Sequence, residues 1–318
     1  FLAILMIATG WLGQLSWRPE PIIVGCKWCG EIAAVDYGHS ARCPSCRKKR
    51  ALAPIAKCSR CNHAFLFGAL HAGHRALVER AVAENNRTVT TIFVNPTQFG
   101  EASDLENYPR TEDADLALFD AAGVDAVLIP DAAEIYPEGE ETIVETTRLA
   151  NVFHGLVRPG HFRGVATVVA KLFNIAQPDS AYFGEKDYQQ LVVIRRMVTD
   201  LHFPIRIVGV PTVREADGLA MSSRNVRLTP EDRAAAPILN ASLDAAQQRA
   251  GQGATAEQIG ETISNVIAGE PRATLKGLDI VWADSFKPAA GPVDRTIGVM
   301  ISAELGEVLL IDQREITP

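Results

Sequence analysis

The sequence predicts an α/β protein: a parallel sheet with helices on both faces, a smaller C-terminal α+β domain after it, and an N-terminal zinc-ribbon-like segment before it. Three observations carry this expectation. From Phe65 onward, short β-rich runs alternate with helical patterns, as parallel strands joined by crossover helices require. Beyond residue 211 the alternation gives way to two helical stretches followed by strand-like runs. All six cysteines lie before residue 62, each in a C-x-x-C pair.

Residues 1–17 are uncharged and largely apolar. As a helix they reach only about 25 Å, marginal for a membrane span, and they contain Gly10, Gly13, Gln14 and Ser16. Residues 1–20 are therefore expected to be an apolar stub from a truncated or misjoined start, at least as readily as an anchor. Residues 21–64 form the cysteine module. Cys26, Cys29, Cys43 and Cys46, with residues 30–42 between the two pairs, have the spacing of two facing zinc knuckles. Four thiolates suit tetrahedral Zn²⁺, and a metal can replace a core in so short a segment. Cys58 and Cys61, with His63, either complete a second site or replace one knuckle. Arg47-Lys-Lys-Arg50 reads as a solvated charge run.

After His74 a helix places Leu77, Val78, Ala81 and Val82 on one face, with Arg75, Glu79 and Arg80 opposite. A strand over 89–94 stops at Asn95-Pro96. A helix over 114–122 ends at Gly123, and a strand over 124–129 ends at Pro130. Then follow a helix over 164–176, a strand over 181–183, a helix over 188–201 and a strand over 205–210 closed by Pro211. In the last third, Thr229-Pro-Glu-Asp caps an Ala-rich helix. A second helix covers 254–268, and strands cover 278–282, 296–301 and 308–311.

With 318 residues the chain is long enough for two ordinary domains. Its apolar and charged fractions, 47% and 22%, are those of a soluble globular protein. A net charge of -7 argues against a general nucleic-acid binder, and no membrane partner is expected. Reduced thiols, as a metal site requires, and no recognisable secretion signal point to the cytoplasm.

In sheets of this kind ligands bind beyond the carboxyl ends of the strands. The polar segments there are 68–74, 95–99, 184–187 and the run after Val210, so these are expected to converge on one crevice. The sharpest of them, Gly68-Ala-Leu-His-Ala-Gly-His74, is a turn entering a helix. Unpaired N–H groups and the positive end of the dipole make such a turn a seat for phosphate. Gly73 lets a ligand approach the backbone. Taken singly, each feature has a plainer reading: His71 and His74 as surface imidazoles, Gln98 and Gln190 as surface amides, Lys186 in an ion-pair cluster with Glu185 and Asp187, Ser222 and Ser223 as turn caps.

Taken in order, Gly68-Ala-Leu-His-Ala-Gly-His74, Phe93-Val-Asn-Pro-Thr-Gln-Phe99, Arg158-Pro-Gly-His-Phe-Arg-Gly164, Tyr182-Phe-Gly-Glu-Lys-Asp-Tyr-Gln-Gln190 and Asp217-Gly-Leu-Ala-Met-Ser-Ser-Arg-Asn225 resemble the pantothenate synthetase (pantoate–β-alanine ligase) family. This is a branch of the HIGH-type nucleotidyltransferases, and Met221-Ser-Ser-Arg224 is similar to their KMSKS-like signature. The resemblance runs from Gly68 to the C-terminus. It implies a Rossmann-like nucleotide-binding domain over 65–211, an α+β lid domain over 212–318 and a homodimer.

The implied reaction has two steps. The pantoate carboxylate attacks the α-phosphate of ATP, releasing pyrophosphate. The amine of β-alanine then attacks the acyl carbon of pantoyl adenylate, releasing AMP. By the resemblance, His71, His74, Lys186 and Arg224 are the catalytic residues, with His74 the proton donor. The ATP site comprises Phe67, Gly68, Ala69, Leu70, His71, Ala72, Gly73, His74, Gly184, Glu185, Lys186, Asp187, Val213, Met221, Ser222, Ser223 and Arg224. Gln98 and Gln190 hold pantoate, Gln98 also lying near β-alanine. Mg²⁺ accompanies the nucleotide, where it needs few protein ligands. His161 and Arg163 read as helix-entry residues that help shape the pantoate side.

The pattern departs from the family at its start. The family enters its HIGH motif through Pro-Thr-Met-Gly, where this chain has Phe65-Leu-Phe-Gly68. Residues 65–70 are expected as a thin central strand, with Phe67 bulkier than Met beside the pantoate pocket. Two other readings therefore stand beside the ligase: a nucleotide-binding relative inactivated by its altered N-terminus, and a zinc-ribbon interaction module fused to a ligase body.

Overall fold

A computed structural model of the protein describes residues 70–98 and 112–318, together with the backbone of three short strands nearer the N-terminus. Those strands are β1 (Met6–Ala8), β2 (Ile22–Gly25) and β3 (Ile32–Val35). The chain divides into two compact units. The first holds Phe1–Leu70, His74–Phe183 and Val193–Val208; the second holds His71–Gly73, Gly184–Val192 and Gly209–Pro318.

The first unit is built on a five-stranded sheet. Its strands are β1, β4 (Thr88–Thr91), β5 (Ala126–Leu128), β6 (Ser180–Gly184) and β7 (Arg206–Val210), in the order β5-β4-β1-β6-β7. β4 and β5 pair in parallel, Val89 opposite Ala126. β4, β5 and β7 are shorter than the apolar runs that announce them, because the ends of those runs turn into polar loops, whereas β6 extends one residue beyond its run at each end. Thr88, Thr90 and Thr91 are buried, as β-branched residues covered on both faces of a sheet are.

The central position corrects an expectation. Residues 65–69 lie outside the described residues, and Leu70 is in no regular element. Between β4 and β6 sits β1, antiparallel to both, with Met6 opposite Thr90 and Tyr182. The sheet is thus mixed at its centre rather than parallel throughout. A short strand from the apolar stub can take that place because a ladder forms in either direction, provided a pleated run supplies unpaired N–H and C=O groups.

Helices follow the strands. α1 (Ala72–Glu84) buries Leu77, Val78 and Ala81. Its solvent side carries Arg75–Glu79 and Arg80–Glu84 pairs at 2.6 and 2.8 Å, each four residues apart. α2 (Glu112–Ala122) ends where Gly123 turns left-handed, at φ 84°. Short helices α3 (Ala132–Ile135) and α4 (His154–Val157) have no periodic signal in the sequence. α5 (His161–Ala176) is apolar on most of its surface, burying Phe162, Val165, Val168, Val169, Leu172 and Phe173. The Phe173 ring meets Phe183 and Phe203 edge to face at 6.5 and 5.8 Å. α6 (Tyr188–Asp200) follows β6.

The second unit carries an antiparallel sheet of β8 (Ala273–Trp282), β9 (Ile297–Leu305) and β10 (Val308–Ile316), with β9 in the middle. α8 (Ile238–Ala250) and α9 (Ala256–Ala268) pack on it through Leu239, Leu243, Ile259, Ile263 and Ile267, against Val299, Ile301 and Leu310. Thr255 and Gln258 form a reciprocal capping box at the start of α9. The single Ala-rich helix expected after Thr229 is two. α7 (Pro230–Ala235) starts on the Thr229 hydroxyl, and Pro237, which has no N–H to continue the ladder, separates it from α8.

Cys26, Cys29, Cys43, Cys46, Cys58 and Cys61 lie outside the described residues, as do Phe67, Gly68 and Ala69. β2 and β3 pair antiparallel, Gly25 opposite Ile32, on either side of the first cysteine pair in sequence. Among the described residues, no group of His, Cys, Asp and Glu could hold a metal ion, and no helix is long and apolar enough to cross a membrane.

Candidate functional site

The second unit gathers His71–Gly73, from the first segment singled out in sequence, with Gly184–Val192 and the run from Gly209 onward. His71 is half-buried, and its Nδ1 accepts a hydrogen bond from the Gly73 N–H at 3.1 Å. In the neutral ring this places the proton on Nε2. Burial, and then the positive charge of Lys186, push the imidazole below its ordinary pKa, while Asp187 partly opposes them. The ring is therefore neutral at neutral pH and lies in the field of the Gly184–Asp187 turn. Gly73 is required by this arrangement: a Cβ there would stand 2.9 Å from His71 Cε1 and 3.9 Å from Met221 Cβ. The HIGH-like segment and Met221-Ser-Ser-Arg224 are thus neighbours within the unit.

The turn after β6 is held by Glu185 N–H on the Val210 carbonyl at 2.9 Å, and the Asp187 carbonyl accepts from Leu191 in the first turn of α6. Gly184 faces open space, with nothing within 4 Å of where a Cβ would be. Tyr188, buried at the start of α6, donates to Glu315 at 2.7 Å, and Gly298 leaves room for its ring. Gln190 lies half-buried on the same helix.

The loop after β7 is equally anchored. Met221 N–H bonds the Val213 carbonyl at 2.9 Å. Arg214 makes two bonds, at 2.7 and 3.0 Å, to the buried carboxylate of Asp312. Arg233 pairs with Glu215 and Asp217 at 2.6 Å and holds both carboxyls below the usual range. The plain reading of Ser222 holds at least in part, because its Oγ accepts from Arg224 N–H at 3.2 Å and caps the 3₁₀ turn Ser223–Arg227. Arg224 reaches the Leu309 carbonyl at 3.4 Å.

The first unit contains a second polar cluster, around Gln98. Its 3₁₀ turn, Pro96–Gln98, lies against α5, where Gly164 permits the contact: a Cβ would come within 2.7 Å of the Thr97 carbonyl oxygen. The Gln98 carbonyl accepts from Arg158 at 3.3 Å and from Nδ1 of the buried His161 at 3.2 Å. Its side-chain oxygen accepts from Asn95 Nδ2 at 3.0 Å. Among the described residues the Gln98 amide nitrogen has no hydrogen-bond partner. Asn95, fully buried, also donates to the Gly164 carbonyl at 3.2 Å. Its Oδ1 accepts from Tyr136 OH at 2.6 Å, Thr97 Oγ1 at 3.0 Å and Thr97 N–H at 3.3 Å.

Behind Tyr136, Lys171 Nζ sits 4.9 Å from the ring centroid, donates to the Ile135 carbonyl at 2.7 Å and pairs with Glu140 at 2.8 Å. Burial raises the phenol pKa, so Tyr136 remains a donor. His74 is on the first turn of α1, half-buried, and Ala72 beside it is exposed. The Leu70 N–H donates to the buried Asp115 at 3.4 Å.

Sequence alone points to Gln98, to Asn95 as part of the polar stretch 95–99, and to His161 as a shaping residue. It misses Tyr136 and Lys171, which belong to no motif; only the topology brings α3 and α5 to the turn after β4.

Known proteins resemble this chain over most of its length. The family model "Pantoate-beta-alanine ligase" matches residues 54–315. The pantothenate synthetase of Allorhizobium ampelinum is 50% identical over 252 residues, 79% of this chain and 86% of that protein. That of Thermus thermophilus is 48% identical, over 79% of this chain and 91% of its own. The crystal structure of a Thermus thermophilus pantothenate synthetase superposes with a TM-score of 0.75 at 47% identity, covering 79% and 91% of the two chains. The pantoate-beta-alanine ligase of Francisella tularensis, solved with a β,γ-ATP ligand and β-alanine, gives a TM-score of 0.63 at 32% identity, covering 78% and 87%. On these grounds the chain belongs to the pantoate–β-alanine ligase family.

Proposed function

We infer that this chain joins pantoate to β-alanine in an ATP-dependent ligation that yields pantothenate, AMP and pyrophosphate. A carboxylate oxygen of pantoate attacks the α-phosphorus, and the bond to the β-phosphate breaks. The β-alanine nitrogen then forms the amide bond, loses a proton, and displaces AMP from the acyl carbon. Neither step needs a protein nucleophile; both need positioning and charge stabilisation.

The observation that carries the division of labour is the His71 ring bonded to the Gly73 N–H, next to Met221 through Gly73, in the field of Lys186. His71 donates from Nε2 to a phosphate oxygen, and Lys186 supplies a mobile point charge at the α-phosphate. His74 is the proton donor of the HIGH-like motif. The open backbone at Gly184, with Glu185, Asp187 and Val213, takes the nucleoside. Ser222, Ser223 and Arg224 close over pyrophosphate, Ser222 leaving its capping bond to do so. Leu70, Ala72 and Gly73 belong with Phe67, Gly68 and Ala69 to the phosphate-binding turn. Gln98 and Gln190 hold pantoate.

Mg²⁺ accompanies the triphosphate and neutralises charge there, held mainly by phosphate oxygens. Cys26, Cys29, Cys43 and Cys46, with Cys58 and Cys61, bind structural Zn²⁺; their spacing and the β2–β3 hairpin around the first pair support this. Residues 65–211 form the nucleotide-binding domain and 212–318 the lid domain of a cytoplasmic homodimer.

Purified protein given ATP, Mg²⁺, pantoate and β-alanine is expected to release AMP only when β-alanine is present; AMP release indifferent to β-alanine would overturn the ligase reading. If ATP binds without turnover, the double change Phe65→Pro/Phe67→Met separates an inactivated first strand from a wider defect. Metal analysis of the intact chain tests the zinc, and sedimentation equilibrium tests the dimer.

A further inference from the structure

We propose that Tyr136, clamped by Lys171 and acting through Asn95, is a positioning residue that presents Gln98 to the substrate as a donor-only contact. The inference rests on the assignment of Gln98 to pantoate given above.

A side-chain amide has nearly the same shape either way round, so its hydrogen bonds decide which end faces the ligand. Asn95 has less freedom. The Thr97 backbone N–H can only donate and bonds its Oδ1, while the Gly164 carbonyl can only accept and bonds its Nδ2. The Tyr136 hydroxyl adds the shortest bond of the set, 2.6 Å, on the Oδ1 side. With Asn95 fixed, its Nδ2 faces Gln98, and the Gln98 oxygen must turn toward it, at 3.0 Å. Reversing Gln98 would set one NH₂ group against another in a buried place. Among the described residues, what Gln98 turns away from Asn95 and toward a ligand is its NH₂ group, with two donors. Such a contact favours a hydroxy acid, rich in acceptor oxygens, over its carboxamide.

Tyr136 is suited to hold Asn95 because its own position is fixed from behind. Lys171 lies over its ring and is itself tied to the Ile135 carbonyl and Glu140. A cation over the ring and an ion pair behind it cost the tyrosine little freedom on forming its bond, and they leave the hydroxyl directed at Asn95.

The test is Tyr136→Phe, which removes the hydroxyl and keeps the ring under Lys171. The KM for pantoate is expected to rise about fivefold to tenfold, the scale of one neutral hydrogen bond. The KM values for ATP and β-alanine should stay within about twofold, as should kcat. The carboxamide of pantoate, used as a competitive inhibitor, should lose less affinity than pantoate, narrowing the ratio between them. Lys171→Met, which keeps the hydroxyl but frees the ring, should raise the pantoate KM by a smaller factor, about twofold to threefold, with the same selectivity.

An unchanged pantoate KM in Tyr136→Phe overturns the inference, and so does a parallel rise in all three KM values or an unaltered acid-to-carboxamide ratio. Titration calorimetry of pantoate with the unaltered protein separates this from the parent reading. A chain that binds pantoate without turnover refutes the ligase activity and still allows the Tyr136 comparison by affinity. A chain that does not bind pantoate refutes the Gln98 assignment and this inference with it.

Discussion

The two units hold their polar side chains by opposite means. In the first, buried Asn95 and Gln98 join half-buried Tyr136 and exposed Thr97 in a network of neutral groups, tied to the backbone at Gly164 and Thr97. In the second, His71, Lys186, Asp187 and Arg224 are half-exposed, and the charges of Lys186 and Asp187 act on the His71 ring after burial. On the proposed assignment of the two regions, the difference follows from what each recognises. A small hydroxy acid is distinguished by where its donors and acceptors point, and buried neutral amides fix those directions without the desolvation cost of an ion. A triphosphate brings its own charge, so it needs mobile cations and N–H donors more than a rigid mould.

That contrast can be broken from either side. The largest effect is expected for Lys186→Met, which removes the point charge beside His71. Adenylate formation, followed by pyrophosphate release, should fall about 10²–10³-fold, with the melting temperature held. An equal loss of stability would show Lys186 to be a structural ion rather than a phosphate contact. Next is Gly164→Ala in the first unit. Its Cβ would be driven to within 2.7 Å of the Thr97 carbonyl oxygen, which is backbone and cannot move alone. About 1–3 kcal/mol of stability should be lost in urea unfolding, together with a rise in the pantoate KM.

Gly73→Ala should do less, because its clash is with the His71 ring, a side chain able to turn. The expected result is roughly a tenfold fall in kcat at nearly unchanged stability, from loss of ring alignment.

The smallest effect is that of pH on His71. Burial and Lys186 lower its pKa in the folded protein, whereas the unfolded imidazole binds a proton near about pH 6.5. Below that value the unfolded state binds more protons than the folded one, so this group removes stability as pH falls toward its lowered folded pKa. In His71→Asn, the gap between unfolding midpoints at neutral and mildly acidic pH should narrow. A gap that stays the same would show that the ring does not titrate differently on folding.

How much is legible in sequence varies with how local the cause is. Gly123 stops α2, Thr229 and Pro230 open α7, and the apolar stripe of α1 is Leu77, Val78 and Ala81, as periodicity requires. The break at Pro237 is equally local, yet the Ala-rich run around it reads as one helix. His71 and Gly73 announce a phosphate-binding turn, but nothing in their spacing says that Gly73 makes room for the His71 ring as well as for a ligand. Tyr136 cannot be found from sequence at all. Its meaning lies in a bond to Asn95 across 41 residues of chain.

By itself the sequence determined the alternation of strands and helices, the family, and the identity of the groups able to meet phosphate, because these depend on residue type and near spacing. Only the tertiary structure decided that β1 fills the middle of the sheet in the antiparallel sense, and that the Gly164 carbonyl turns Asn95 so that its amide takes the Gln98 oxygen. Each of these is settled by which backbone groups remain unpaired once distant segments come together, and such pairing has no signature along the chain.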